Sequence, residues 1–179
     1  DGEAVAEGVA AVGPVDILVN NAGVPEGMGV GPFAAMDPGE WAKYVDLNLY
    51  GVLHCCHAVL GGMRERGWGR IVTISSGAGV TGINLGVSLY GAGKGGAIAF
   101  MRHLAVENAR AGITANCLAL GLMADKANRE VTEHLARTVP VGRLGRPDDV
   151  GAAVVYLASD EASWLTAQTI NLDGGSLPT

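Results

Sequence analysis

Tyr90 and Lys94 lie four residues apart. On a helix, this spacing puts a phenol and an ammonium on the same face. A free phenol has a pKa of about 10, and an ammonium about 4 Å away contributes energy of the size needed to bring that pKa close to neutrality. The pair therefore predicts a proton-transfer site in which Lys94 lowers the pKa of Tyr90. The same spacing also arises by chance in an exposed helix pair, so the surrounding elements decide between the two interpretations.

The composition predicts one globular domain that does not bind nucleic acid. The chain has 179 residues, of which 49% are hydrophobic and 17% charged, so it can bury a large core. Its formal net charge of −6 disfavours a nucleic-acid surface. Because no apolar run reaches the ~20 residues of a membrane helix, a soluble, cytoplasmic protein is expected.

Metal-binding residue types cluster at His54, Cys55, Cys56 and His57. On a helix these four side chains point in several directions, and they lack the spacing of known ligand sets, so core packing is preferred and no metal is expected. Together with Cys117 they form no disulfide pattern either, which fits a reducing compartment.

Four short apolar segments have the length and composition of buried strands. They are 15–20, 70–76, 113–119 and 169–175. Helix-length segments separate them, which predicts a parallel sheet covered on both faces and hence an α/β fold.

The first of these helical segments begins at Asp37. Pro38 suits the first helical position, Glu40 completes a capping box, and Asn48 falls near the middle of the helix. A third helix begins at 146–149. The segment 121–145 shows no clear pattern, and an irregular segment of this length is usually functional.

The second helix carries Tyr90 and Lys94 and extends to about Arg110. Four glycines crowd its first turns, each costing up to about 1 kcal/mol relative to alanine. We expect this cost to be offset by a close approach of cofactor or backbone. The glycines are Gly91, Gly93, Gly95 and Gly96.

These features, in this order, resemble the short-chain dehydrogenase/reductase family. The resemblance is carried by Asn20-Asn21-Ala22-Gly23, Asn48, Ser76 and the Tyr90/Lys94 spacing. The segment 140–149 and Asp173-Gly174-Gly175 are similar to the ketoreductase-like members. The resemblance implies a Rossmann-like doubly wound parallel sheet and an NAD- or NADP-dependent enzyme that interconverts a carbonyl and a secondary alcohol.

The resemblance also implies a catalytic role for four residues. Tyr90 is expected to be the general acid/base, Lys94 to lower its pKa and bind the nicotinamide ribose, and Ser76 to hold the substrate oxygen. Asn48 is expected to hold a water that links the lysine to solvent. Two alternatives stay open: Ser75 is the nearest rival of Ser76, and Asn48 can serve only a local hydrogen bond.

Cofactor contacts are expected from Asn20, Ala22, Gly23 and Gly121, besides Tyr90 and Lys94. The role of Asn20 to Gly23 is interpreted as half structural. Leu120 stands where many relatives have proline before the glycine, and the threonine that often follows is replaced near Asp125. Both departures put the cofactor contacts there in doubt, and the leucine leaves the loop freer than proline does.

No strand with a glycine-rich phosphate loop precedes Asn20 in these residues. Residues 1–179 are therefore interpreted as a single unit, the C-terminal catalytic portion of a Rossmann-like domain, with weak cofactor binding expected for this portion alone. By resemblance the full-length protein is a homodimer or homotetramer acting on a small carbonyl or alcohol. The alternative function is a non-catalytic fragment or scaffold that retains the oligomer surface.

Overall fold

A parallel four-stranded sheet forms the centre of the protein. The computed structural model describes residues 1–124 and 129–177, and for residues 129–131 only the backbone. Within these residues the strands lie in the order β1–β2–β3–β4, all parallel, and they are β1 Ile17–Asn20, β2 Gly69–Ser76, β3 Ile113–Leu120 and β4 Thr169–Leu172. All four predicted strands are confirmed to within three residues, and with them the α/β parallel sheet.

Helices connect the strands and precede the first one. They are α1 Gly2–Val12, α2 Trp41–Val45, α3 Gly51–Arg66, α4 Ser88–Asn108, α5 Arg129–Ala136 and α6 Pro147–Ala158. A π-turn, Asp46–Tyr50, joins α2 to α3 in one continuous helical segment. Helix α5 lies inside the segment 121–145, for which the sequence shows no clear pattern.

The start of the first helical segment differs in part from the prediction. The Asp37 carboxylate accepts a hydrogen bond from the Gly39 N–H at 2.9 Å, and Pro38 occupies the first helical position, as expected. Glu40 pairs instead with the Lys43 ammonium. The capping box is wrong because a nearby cation competes for this carboxylate.

Successive residues of β2 point to opposite faces and serve two cores. Ile71 belongs to the core against α3 and α4, together with Met63 and Met101. Its neighbour Val72 belongs to the smaller core against α6, together with Leu157. The sheet is therefore covered on both faces at β2 and β3, whereas Ile17 and Val19 of β1 remain partly exposed.

Arg70 fixes the amino ends of the central strands. Its guanidinium is buried, lies 4.3 Å from the centre of the Trp68 ring, and pairs with Asp160 at 3.2 Å. It also donates to the carbonyls of Gly69, Gly112 and Ser159. These carbonyls belong to β2, to the turn before β3 and to the end of α6, so one side chain joins three elements.

We expect Arg70→Met to lower the free energy of unfolding by about 3 kcal/mol, because three carbonyls lose their donor in a buried place. Arg70→Lys should recover little of this, since a single ammonium cannot replace the planar fork. Urea unfolding of both variants measures the effect, with exposed Arg110→Met as the matched control. A loss as small as that of Arg110→Met would show that Arg70 does not join these elements.

Candidate active site

The first half of α4 packs on the turn after β2 at backbone contact distance. A Cβ added at Gly91 would lie 2.7 Å from the Ala78 carbonyl oxygen, and one added at Gly79 would lie 2.9 Å from the backbone of Lys94. Real Cβ contacts are essentially never this short, so glycine is required on both sides. The predicted close approach is thus made by neighbouring backbone.

The same helix contacts the π-turn on another side. A Cβ at Gly93 would lie 2.8 Å from the Asn48 Cβ and 2.9 Å from the Tyr44 carbonyl oxygen. Tyr90 and Lys94 are therefore held between the turn after β2 and the segment that carries Asn48. No local sequence signal predicts the π-turn, although such turns are frequent at functional sites.

Lys94 is the most constrained cation of this site. It is 4% exposed, and its Nζ donates to the Ile74 carbonyl oxygen at 2.7 Å. Burial lowers the pKa of the ammonium from 10.5 to about 8. A Cβ at Gly23 would overlap Lys94 Nζ, so glycine at this position makes room for the ammonium.

Asn48 faces the same space. Its Nδ2 donates to the Tyr44 carbonyl at 2.9 Å, four residues back in the helix. Its Oδ1 is buried and has no partner among the described residues, and a Cβ at Gly23 would lie 3.2 Å from it. The local hydrogen bond thus uses one end of the amide and leaves a buried acceptor near Gly23.

Tyr90 is half-buried, and its environment corrects the predicted direction of its pKa. Burial raises the pKa of the phenol from its ordinary 10.0, and an interaction with the Ser76 hydroxyl partly opposes this. The predicted lowering by Lys94 is wrong here, because the ammonium lies 5.8 Å from the ring centre and donates to Ile74 instead.

The two neighbouring serines have different surroundings. Ser75 is buried, and its hydroxyl donates to the Lys94 carbonyl at 3.3 Å. Ser76 accepts the Ala78 N–H at 3.2 Å, which leaves its own hydroxyl proton free to donate, and it interacts with the Tyr90 phenol. Ser76 is therefore the serine that can act together with Tyr90.

The segment after β1 divides into a structural part and a part at the site. Asn20 is buried and donates to Thr73 Oγ1 at 3.0 Å and to Cys56 Sγ at 3.6 Å, so its amide joins β1 to β2 and α3. Ala22 is exposed, and Gly23 lies beside Lys94. Of this predicted group, Gly23 is the one that meets the catalytic candidates.

Gly121 has a structural reason to be glycine. A Cβ there would lie 2.7 Å from the Asp173 Cα, and the Gly121 N–H donates to the Leu172 carbonyl at 3.1 Å. Leu120 is the last residue of β3, in register with both Ser76 and Leu172, so it lies in a paired strand. Asp125 lies outside the described residues.

A cavity of about 340 Å³ opens beside the amino end of α4. Val80, Ile83 and Val87 supply apolar wall, and Thr81 and Ser88 supply hydroxyls. Leu122 and Met123 line a separate cavity of about 150 Å³ with Val141 and Leu172.

The cysteines near α3 pack as small hydrophobic residues. Burial raises the pKa of Cys56 and of Cys117 to about 12, which keeps both thiols protonated. Among the described residues, no group of three or more His, Cys, Asp or Glu side chains is placed to hold a metal ion. No helix in that part of the chain is both long and apolar enough to cross a membrane.

The family described as enoyl-(acyl carrier protein) reductase matches residues 2–176. The acetoacetyl-CoA reductase of Shinella zoogloeoides is 41% identical, over 97% of this chain and 74% of that protein. The 3-oxoacyl-[acyl-carrier-protein] reductase FabG of Salmonella typhimurium is 39% identical, over 97% of this chain and 71% of that protein. A crystal structure of a 3-oxoacyl-[acyl-carrier protein] reductase with bound NAD from Brucella melitensis superposes with a TM-score of 0.91, at 34% identity over 99% of this chain and 69% of that one.

Burial of Lys94 predicts a stability that depends on pH. Its pKa is about 8 in the folded protein against 10.5 when exposed, so the folded state disfavours the ammonium. This cost is fully present below pH 8 and disappears as the pH rises towards 10.5. We expect Lys94→Met to be about 2 kcal/mol more stable than the parent at pH 7, and to lose this advantage between pH 8 and 10.5.

Urea unfolding across this pH range measures the difference. Lys43→Met is the control, because Lys43 is a half-buried lysine that pairs with Glu40, and this pairing raises the pKa of its ammonium instead of lowering it. A Lys94→Met variant less stable than the parent at pH 7 would contradict the prediction.

Proposed function

This chain belongs to the short-chain dehydrogenase/reductase family of NAD(P)-dependent oxidoreductases, and we propose that it interconverts a carbonyl and a secondary alcohol with Tyr90 as general acid/base. The observation that supports this most is the junction of Tyr90, Ser76 and Lys94 at the carboxyl end of β2, where ligands collect in open α/β sheets. Reduction of a carbonyl needs a hydride donor, a proton donor and a group that orients the oxygen. The chain supplies the last two.

The residues at this junction fit a nicotinamide cofactor. The Lys94 ammonium has three N–H groups, of which one donates to Ile74, so two are left for ribose hydroxyls. Glycine at position 23 lets the ammonium take this place, because a Cβ there would overlap Lys94 Nζ. When bound, the nicotinamide supplies or accepts the hydride, and NAD and NADP both remain candidates.

Tyr90 is suited to give a proton in the reductive direction. A phenol is already protonated at neutral pH at its ordinary pKa of 10.0, and burial raises the pKa of Tyr90 further, so the proton is present to be given to the carbonyl oxygen but is held more tightly. The Ser76 hydroxyl, held by the Ala78 N–H, donates to the same oxygen and orients it. In the oxidative direction Tyr90 must first lose this proton, which burial opposes and the interaction with the Ser76 hydroxyl favours.

Asn48 serves the return of the proton. Its unpaired Oδ1 near Gly23 and Lys94 offers an acceptor for one water, through which the ammonium can exchange protons with solvent. This role explains why an uncharged amide is buried with half of its hydrogen-bonding capacity unused.

The substrate we propose is a 3-oxoacyl thioester. The two relatives above are named for acetoacetyl-CoA and for 3-oxoacyl groups on acyl carrier protein. The cavity beside α4 has apolar wall and two hydroxyls, which suits a short acyl chain with a polar thioester end. A plain hydrophobic ketone or a steroid-like alcohol would use the same wall without the thioester.

Tyr90→Phe should lower the rate of NADH or NADPH oxidation with acetoacetyl-CoA by about 10²–10⁴-fold, because the proton donor is lost. Cofactor affinity, measured by titration calorimetry, should stay within about twofold, because the ring remains. Tyr156→Phe removes an exposed phenol from α6 and is the control. Unchanged turnover in Tyr90→Phe would remove Tyr90 from this role, and no turnover by the full-length protein with any ketone or thioester would favour the scaffold alternative.

Gly23→Ala should weaken cofactor binding and lower kcat, each about tenfold or more, because the methyl group displaces the Lys94 ammonium. Gly29→Ala is the control from the same loop, since a Cβ there meets nothing within 4 Å. Calorimetry and steady-state kinetics of both variants separate the two effects. If the two variants had the same cofactor affinity and the same kcat, the position of the Lys94 ammonium beside Gly23 would not matter for binding or catalysis.

A further inference from the structure

The five residues after β4 form a turn that is tied together by the Asp173 carboxylate. Its Oδ1 accepts the Gly175 N–H at 2.9 Å, and its Oδ2 accepts the Leu177 N–H at 2.8 Å. The Ser176 hydroxyl donates to the Asp173 carbonyl at 2.8 Å. We call residues 173–177 the Asp173 turn. Gly175 and Ser176 are exposed, whereas Asp173, Gly174 and Leu177 are half-buried.

Leu177 is the residue that these bonds hold most firmly. Its N–H is bound by Asp173, and its carbonyl accepts the Asn171 Nδ2 at 2.9 Å, so side chains hold both of its backbone polar groups. Its side chain packs against Gly77, where an added Cβ would lie 2.6 Å from Leu177 Cδ1. Gly77 is buried and directly follows Ser76.

The Asp173 turn is also anchored to two other segments. Gly121, which follows β3, packs against Asp173, and the Val141 N–H donates to the Gly174 carbonyl at 3.1 Å. Leu177 therefore packs against the turn that follows Ser76. The Asp173 turn, which carries Leu177, is itself held by contacts with Gly121 and Val141. Of the atoms that a Cβ at Gly77 would meet first, the nearest belongs to Leu177, and the Leu120 carbonyl oxygen lies farther away at 3.7 Å.

We infer that the Asp173 turn is a positioning device for Ser76, with Leu177 as the positioning residue. The N–H groups of Val80 and Thr81 both donate to the Gly77 carbonyl at 3.0 Å. Packing of Leu177 on Gly77 therefore fixes the backbone from Ser76 to Thr81. This in turn fixes the Ser76 hydroxyl relative to Tyr90. The effect on catalysis rests on the proposed function, whereas the ordering of the backbone from Ser76 to Thr81 does not.

A double-mutant cycle on Gly77 and Leu177 tests the contact. Leu177→Ala removes the side chain that packs on Gly77, and Gly77→Ala adds a methyl group that clashes with Leu177. Each change should therefore lower kcat about tenfold, while cofactor affinity changes less than twofold. In the double variant the methyl group added by Gly77→Ala occupies the space left by the leucine, so the loss should be smaller than for either single change. Leu177→Met, which keeps the volume, should retain kcat within about threefold.

Amide hydrogen exchange provides a readout that needs no activity. In Leu177→Ala the amides of Ala78, Val80 and Thr81 should exchange at least tenfold faster, while those of β1 stay unchanged. Val155→Ala, which shortens an exposed side chain of α6, is the control for both readouts. Unchanged exchange in Leu177→Ala, or additive losses in the cycle, would overturn the inference. Faster exchange with a parent enzyme inactive on every substrate would keep the positioning role and refute the proposed function.

Discussion

The contact between the glycine-rich start of α4 and its two neighbours determines the geometry of the whole site. Gly91 and Gly79 bring the helix onto the turn after β2, and Gly93 brings it onto the π-turn. A single Cβ at any of these places would push apart elements that carry Ser76, Asn48, Tyr90 and Lys94. The helix-destabilising cost of the glycines is thus offset by packing that only they allow.

This packing buries a lysine without a carboxylate partner among the described residues. The Lys94 ammonium loses its hydration on burial and gains one hydrogen bond, to the Ile74 carbonyl. The loss of hydration lowers its pKa to about 8 and makes the folded state less stable at neutral pH. Burial also favours the neutral form of Tyr90, which for a phenol raises the pKa. Together they leave the site one buried cation and one protonated phenol, an arrangement that costs stability and that suits a reaction in which negative charge develops on an oxygen.

The sequence predicted the elements well because their signals are local. Apolar runs marked the four strands, Pro38 and Pro147 marked helix starts, and the spacing of Tyr90 and Lys94 marked one helix face. Features that depend on distant neighbours were missed. The π-turn at Asn48, the Glu40 pairing with Lys43 and the direction of the Tyr90 pKa are all decided by contacts that no local pattern contains. Asn20 illustrates both cases. The apolar run before it predicted its position at the end of a strand, whereas its hydrogen bond to Thr73 depends on the neighbouring strand.

Gly121 illustrates how a family motif can have two physical reasons at once. Its lack of a side chain is already required by Asp173, whose Cα would lie 2.7 Å from a Cβ at this position. A cofactor contact at Gly121 would therefore have to use backbone atoms, and its N–H already donates to Leu172. The remaining polar group is the carbonyl. Gly121 can therefore bind a cofactor directly only by accepting a hydrogen bond at its carbonyl. Its other possible role is indirect, since it keeps the ends of β3 and β4 close together beside the turn that follows β2.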